Sequence, residues 1–347
     1  MNIKKIALAA VLVGLVIFAF FAYYVYKAMF VENTVFNNDQ ACLFIPSDAT
    51  YQEVRQDLIP LLQNMKTFDA LAKRKKYVNN VKAGRYCIKN GMTNNDIINT
   101  IRSQNQPIRI SFNNQNTIEE LAGRVAEQIE ADSLSLQEAM TDSIFMSKNG
   151  FKSEMALGLY IPNSYEFFWN TDAKGFRDRM LKEFRQFWSG SRQGKADQIN
   201  LTIDEVMTLA SIVHEESKQA SEQARIAGVY INRLRSNWPL QADPTLKFAA
   251  YQLPEFKNTL IKRVLNVHKE IDSPYNTYKY SGLPPGPIGM PDISAIDAVL
   301  NYEEHDYYFF AADPDRPGFH RFARTLSQHA RNAREYQQYL NQQGIRR

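Results

Sequence analysis

The chain has 347 residues, 44% hydrophobic and 22% charged, with a formal net charge of +4. These values lie near the globular average and exclude disordered, collagen-like and low-complexity classes, and the length suggests two folded units plus an appendage. The mild basicity does not suggest a nucleic-acid binder, the two cysteines make no C-x-x-C pair, and no histidine spacing implies a metal or cofactor.

Between Ile6 and Tyr26 no residue is charged. A run of 21 residues can cross a hydrocarbon core of roughly 30 Å as a helix. Lys4 and Lys5 precede it, and Tyr23, Tyr24 and Tyr26 close it like an interfacial belt. The positive-inside rule puts residues 1–5 in the cytoplasm and the rest of the chain outside. The expected product is a single-pass protein of the cytoplasmic (inner) membrane with a periplasmic domain. A cleaved signal peptide is the competing reading, disfavoured by the run's length and the lack of an A-x-A-like site.

Residues 27–39 read as a polar tether. A small module is expected over 40–106. Leu43, Phe44 and Ile45 make a short strand, and Thr50-x-x-Glu53 is a capping box opening a helix to about Gln63. Thr67 starts a second helix ending near Tyr77. Gly84 to Ile88 is a second strand, and a helix follows Thr93 through Ile101. This strand–helix–helix–strand order resembles a LysM-like module, a glycan-binding unit; a plain spacer is the alternative. Cys42 and Cys87 fall in the two strands, either bonded to each other or as two buried thiols.

A larger α+β domain is expected over 107–347. Residues 107–112 read as a strand, and Thr117-x-x-Glu120 and Ser135-x-x-Glu138 as capping boxes. The aromatic-dense stretch from Gly158 to Trp169, broken by Pro162, is a core loop or a platform for sugar rings. Thr202-x-x-Glu205 opens an amphipathic helix over 203–218, with Val206, Leu209, Ala210 and Val213 on one face. Glu216 projects from the flank of that face and Glu215 from the solvent side. Desolvation raises a carboxyl's pKa, which suits a general acid; a salt bridge to Arg225, Arg233 or another buried cation is the bland alternative. A second helix covers 221–235. Loops at 240–245, 273–278 and 281–292 are dense in polar, aromatic, proline and glycine residues, as in a cleft built on a scaffold.

At these residues the sequence resembles the YceG-like family of endolytic murein transglycosylases. The matching segments are ASIV-x-x-E-S at 210–217, SE at 221–222, VYINRLR at 229–235, LQADPT at 240–245, YNTY at 275–278 and GLPPGPI at 282–288. The segment HRFARTLSQHARNAREYQQYL at 320–340 fits as well. The resemblance implies that Glu216 is the catalytic acid. It also implies that Asn163, Gln241, Asp243, Tyr275, Asn276 and Thr277 line a substrate cleft, although Asp243 could simply cap the adjacent turn. The chain departs from the family pattern where His214, Leu157 and Asn163 replace acids.

The implied reaction cuts the MurNAc–GlcNAc bond of nascent peptidoglycan strands. Protonated Glu216 would donate to the glycosidic oxygen, and its carboxylate would then take the C6 hydroxyl proton, leaving a 1,6-anhydro-MurNAc end. One carboxyl suffices because the nucleophile is already attached to the reacting sugar. Such an enzyme at the membrane would terminate glycan elongation, and partnership with peptidoglycan synthases is implied. Two alternatives stand beside it. One is a non-enzymatic, membrane-anchored glycan-binding scaffold. The other is a two-carboxylate hydrolase with Asp243 as second acid.

Overall fold

The computed structural model describes residues 3–256, 259–261 and 263–343. The chain divides into two compact units. The first comprises the chain up to Ile110, with Gln128–Ala131 and Tyr165–Asp172; the second comprises Ser111–Glu127, Asp132–Ser164 and everything from Ala173. The division expected at 106–107 therefore falls slightly later and is not contiguous. Backbone pairing explains the excursions. The Glu130 N–H donates to the Trp169 carbonyl at 2.8 Å, and Trp169 packs edge-on against Phe44 at 5.3 Å between ring centroids.

The first unit begins with helix α1 (Ile3–Phe30), followed by β1 (Gln40–Ile45), α2 (Tyr51–Leu58), α3 (Met65–Arg74), β2 (Gly84–Lys89), α4 (Asn94–Ser103) and β3 (Pro107–Phe112), whose last two residues pass into the second unit. Among the described residues α1 is the one helix long and apolar enough to cross a membrane. The Thr50/Glu53 capping box starts α2, and Pro60, which has no N–H to donate, ends it early in a 3-10 turn. Asn64, not Thr67, caps α3, accepting from the Thr67 N–H at 3.2 Å. β1 and β2 pair antiparallel with Cys42 opposite Cys87, and the two cysteines are disulfide-bonded. Closing a loop of that length stabilises by about 4 kcal/mol in the chain-entropy picture. Ile45, Leu58, Phe68, Ile88, Ile97 and Ile98 form the centre of this unit's core.

The segment read as a tether is instead packed. Asn33 is 4% exposed; its side chain donates to Asn94 Oδ1 at 2.6 Å and its N–H to the Met92 carbonyl at 3.0 Å. Val35 bonds the Leu61 carbonyl at 3.0 Å, and Asn94 Nδ2 donates to the Ala28 carbonyl at 3.0 Å. Two buried amides with mutual partners pin a chain that composition alone reads as free.

The second unit contains α5 (Ile118–Ala126), α6 (Ser133–Met140), α7 (Ser143–Lys148), the first residues of β4 (Asn163–Phe168), α8 (Ala173–Trp188), α9 (Ser191–Gln198), α10 (Ile203–Glu216), α11 (Ala220–Arg235), α12 (Asp243–Tyr251), α13 (Asn266–Lys269), α14 (Ile293–Leu300), β5 (Phe309–Ala312), β6 (His320–Ala323) and α15 (Leu326–Gln342). Among the described residues the sheets are three two-stranded pairs, β1–β2, β3–β4 and β5–β6. Asp132, not Ser135, caps α6, with its carboxylate accepting from two backbone N–H groups at 2.9 Å each. Tyr160 is core, stacked on Phe176 at 6.1 Å.

α10 differs most from expectation. Every residue from Val206 to His214 is buried, so the helix is enclosed rather than one-faced, packed among α9, α11, α12 and α14. A helix apolar on most of its circumference is a core helix. Ser211 ties it to the proline-rich loop by accepting from the Ile288 N–H at 3.0 Å. Gly228 lets α11 pass close to a neighbouring loop: a Cβ there would lie 2.3 Å from the Glu303 carbonyl oxygen.

Candidate active site

α10 ends at Glu216, and its cap Ser217 turns into extended backbone. The turn is locked by Glu222, which is 4% exposed in α11. Glu222 accepts from Ser217 Oγ at 2.9 Å, from the His320 N–H at 3.1 Å, and lies 2.7 Å from His320 Nδ1. Gln223 Nε2 donates to the Ser217 carbonyl at 3.0 Å. The E-S and S-E motifs thus form one buried clamp that fixes where Glu216 points.

Among the described residues Glu216 has a single side-chain partner, the Tyr230 hydroxyl, which donates to Oε1 at 2.7 Å. Burial pushes the carboxyl up from its ordinary 4.5 to about 7, against the lowering pull of the Tyr230 hydrogen bond; Asp243 adds to the rise, while Arg233 and Lys247 oppose it. Burial likewise raises the Tyr230 hydroxyl well above its usual range, so it stays a donor. The salt-bridge alternative fails. Arg233 uses its guanidinium on two carbonyls, Tyr308 at 2.8 Å and Leu240 at 2.5 Å, and Arg225 pairs with Glu303 at 2.9 Å.

A cavity of about 350 Å³ opens over Glu216, lined also by Tyr230, Gln241, Asp243, Tyr278, Phe310 and His329. Asp243 stands in the first turn of α12, makes no cap, and accepts from the Tyr278 hydroxyl at 2.7 Å. Gln241 holds a left-handed backbone, φ +48°, at a cost of order 1 kcal/mol, and its N–H bonds the Thr277 carbonyl at 3.0 Å.

Not every expected cleft residue is in this cavity. Asn276 is fully buried and spends its side chain on the carbonyls of Lys269 and Ile271 and on the N–H groups of Tyr278 and Lys279. Thr277 Oγ1 accepts from the Ala242 N–H at 3.0 Å and shares a hydrogen bond with Thr245. Both hold loops in place and have no free polar group for a substrate. Tyr275 packs on Phe248, 4.5 Å between centroids. Asn163 opens β4, exposed, its Oδ1 accepting from the Ser164 N–H at 2.8 Å; it lines neither this cavity nor the larger one described below.

The replaced acids have plain surroundings. His214 is 6% exposed, its Nδ1 3.4 Å from Asp292 without a hydrogen bond. Burial, then Lys218, lowers its pKa, so the ring is neutral at pH 7. Leu157 is buried in an apolar 3-10 turn. Glu215 is exposed and pairs with Lys218 at 2.8 Å, away from Glu216, as adjacent helical residues must be.

Tyr230, Tyr278 and His329 are site residues that pattern reading missed, although each lies inside a quoted motif. Tyr230 lies on the apolar side of a helix and Tyr278 in the YNTY loop; a hydroxyl needs a partner when buried, and that requirement was the available signal.

The site thus sets a desolvated acid with a hydroxyl partner at the end of an enclosed helix, over a polar cavity. A family model described as the YceG-like family matches residues 43–335, and the chain belongs to that family. An endolytic murein transglycosylase of Streptococcus pneumoniae is 26% identical over 329 residues, covering 84% of this chain and 57% of the relative. One from Bacillus subtilis is 38% identical over 136 residues, covering 39% of this chain and 35% of the relative. The chain thus spans little more than half the length of the curated relatives it matches. The crystal structure of a yceG-like protein from Listeria monocytogenes superposes with a TM-score of 0.56 at 24% identity, covering 85% of this chain and 99% of that one. That likeness establishes the shared fold.

Proposed function

We propose that this chain is an endolytic lytic transglycosylase acting on peptidoglycan, with Glu216 as its one acid–base residue. The observation that carries the reading is a carboxyl raised to about 7 by burial at the wall of a cavity. It holds a proton near neutrality and can give it to a glycosidic oxygen. Once ionised, it can accept the C6 hydroxyl proton, helped by the Tyr230 donor that favours the charged form. Family membership and relatives of that printed activity support the substrate class. The role of α1 follows from the same reading: a single-pass anchor with the amino end inside and both units on the periplasmic face. The strand–helix–helix–strand unit would serve as a LysM-like glycan contact, and the cutting of nascent strands would place the protein beside peptidoglycan synthases.

One observation favours a second reading. Asp243 lines the same cavity as Glu216, so a two-carboxylate hydrolase is a concrete rival. Digestion of peptidoglycan by the full-length chain in detergent, read by mass spectrometry, separates them. The transglycosylase gives anhydro-muropeptides, and Glu216→Gln gives none. Reducing ends, lost in Asp243→Asn, would establish the hydrolase instead.

A further inference from the structure

A second, larger cavity of about 780 Å³ lies in the same unit, lined among others by Glu120, Glu215, Lys247, Phe248, Tyr251 and Ile288. It shares a wall with the first. Glu215 faces it while Glu216 faces the smaller cavity, and Pro244 faces it while Asp243 faces the smaller one. The end of α10 and the start of α12 therefore separate two adjoining chambers. Lys247 is near enough to Glu216 for its charge to lower the carboxyl's pKa.

The two chambers differ in chemistry. The smaller is polar and fits a sugar beside an acid. The larger has an apolar floor of Phe248, packed at a tilt on Tyr275 with 4.5 Å between centroids, with Ile288 and Tyr251. Its charged members are of both signs. Among the described residues neither Lys247 nor Glu120 makes an ion pair, and Glu120 accepts from the Asn116 N–H at 2.8 Å. Uncommitted charges of opposite sign around an apolar floor suit a short peptide that carries carboxylates, an amine and small apolar side chains.

Resting on the reading that murein is the substrate, we propose that this cavity receives the peptide branch of the muramic acid held over Glu216. Muramic acid carries that branch as a lactyl-linked peptide of alanine, an acidic residue, a diamino acid and alanine. The branch leaves C3 of the sugar whose C1 carries the scissile bond, so a sugar against Glu216 must send it to a neighbouring space. Lys247 meets the branch carboxylates, Glu120 the diamino acid's amine, and Phe248 with Ile288 the alanine methyl groups. A volume of 780 Å³ lies within the roughly 300–1,000 Å³ range of ligand cavities.

The test is binding, which does not depend on turnover. Calorimetry with the full-length chain in detergent compares a disaccharide muropeptide bearing its tetrapeptide with the same disaccharide stripped of peptide. The peptide-bearing ligand is expected to bind at least about tenfold more tightly. Glu120→Lys and Phe248→Ala should each remove most of that difference and leave affinity for the stripped disaccharide unchanged. Equal affinity of wild type for both ligands, or an unchanged difference in both variants, overturns the proposal. Digestion of peptide-bearing and amidase-stripped glycan strands reads the parent proposal separately. No anhydro product from either strand would sink the transglycosylase reading, while the calorimetry still decides the cavity.

Discussion

Two acids six residues apart in the chain, Glu216 and Glu222, are set in opposite ways. Glu222 is surrounded by donors: a serine hydroxyl, a backbone N–H and an imidazole. Glu216 is desolvated with one donor, the Tyr230 hydroxyl, and burial wins, raising its carboxyl to about 7. The difference teaches that residue type and burial do not assign a role; the number of partners does. A fully partnered buried acid holds the backbone. An under-partnered one at a cavity wall stores a proton.

Removing each acid is the harshest way to break this comparison. Glu216→Gln should lower the rate of strand cleavage by roughly 10³-fold or more, with the fold kept by circular dichroism. Glu222→Gln should act through position. It places an amide against donors that need an acceptor, at a cost of about 1–3 kcal/mol in thermal unfolding. The rate should fall about tenfold, with the alkaline limb of the pH–rate profile left in place. A limb that moved would mean that Glu222 titrates with the reaction.

Stability against pH sharpens the contrast. The folded chain keeps the Glu216 proton to higher pH than the unfolded chain, whose carboxyl titrates near 4.5. The stabilisation from the raised pKa is present in full below 4.5 and is lost as pH rises through about 7. Glu216→Gln should therefore gain on wild type as pH rises from 4.5 to about 7, by on the order of 1–3 kcal/mol, solvent at the cavity wall trimming the upper figure. Tyr230→Phe removes the hydrogen bond that lowers the pKa. The alkaline limb should then move up by roughly one pH unit. Asp243→Asn removes a charge that raises it, so the limb should move down by a few tenths of a unit. Activity should survive that change, whereas the two-carboxylate rival requires its loss.

Much of this was legible in sequence. The Thr202/Glu205 capping box fixed the start of α10, and helical periodicity put Glu216 on a different side from Glu215. Periodicity did not show that α10 is enclosed, because burial on the remaining faces comes from elements distant in the chain. The YNTY segment marked the right region without saying which members face the cavity. Tyr278 does, whereas Asn276 and Thr277 are committed to loop carbonyls and N–H groups. That distinction depends on the path of residues 269–271 and 240–242, which no local pattern encodes. The strap at 31–35 was hidden for a similar reason: Asn33 reads as a linker residue until Asn94 is placed beside it.

The central claim is that Glu216 stores a proton near neutrality. The most direct measurement is a carboxyl titration by NMR of the full-length chain, carbon-13-labelled at glutamate and held in detergent micelles. The Glu216 resonance is assigned by its absence in Glu216→Gln. The account predicts a midpoint of about 7; a midpoint at or below the ordinary 4.5 would contradict it.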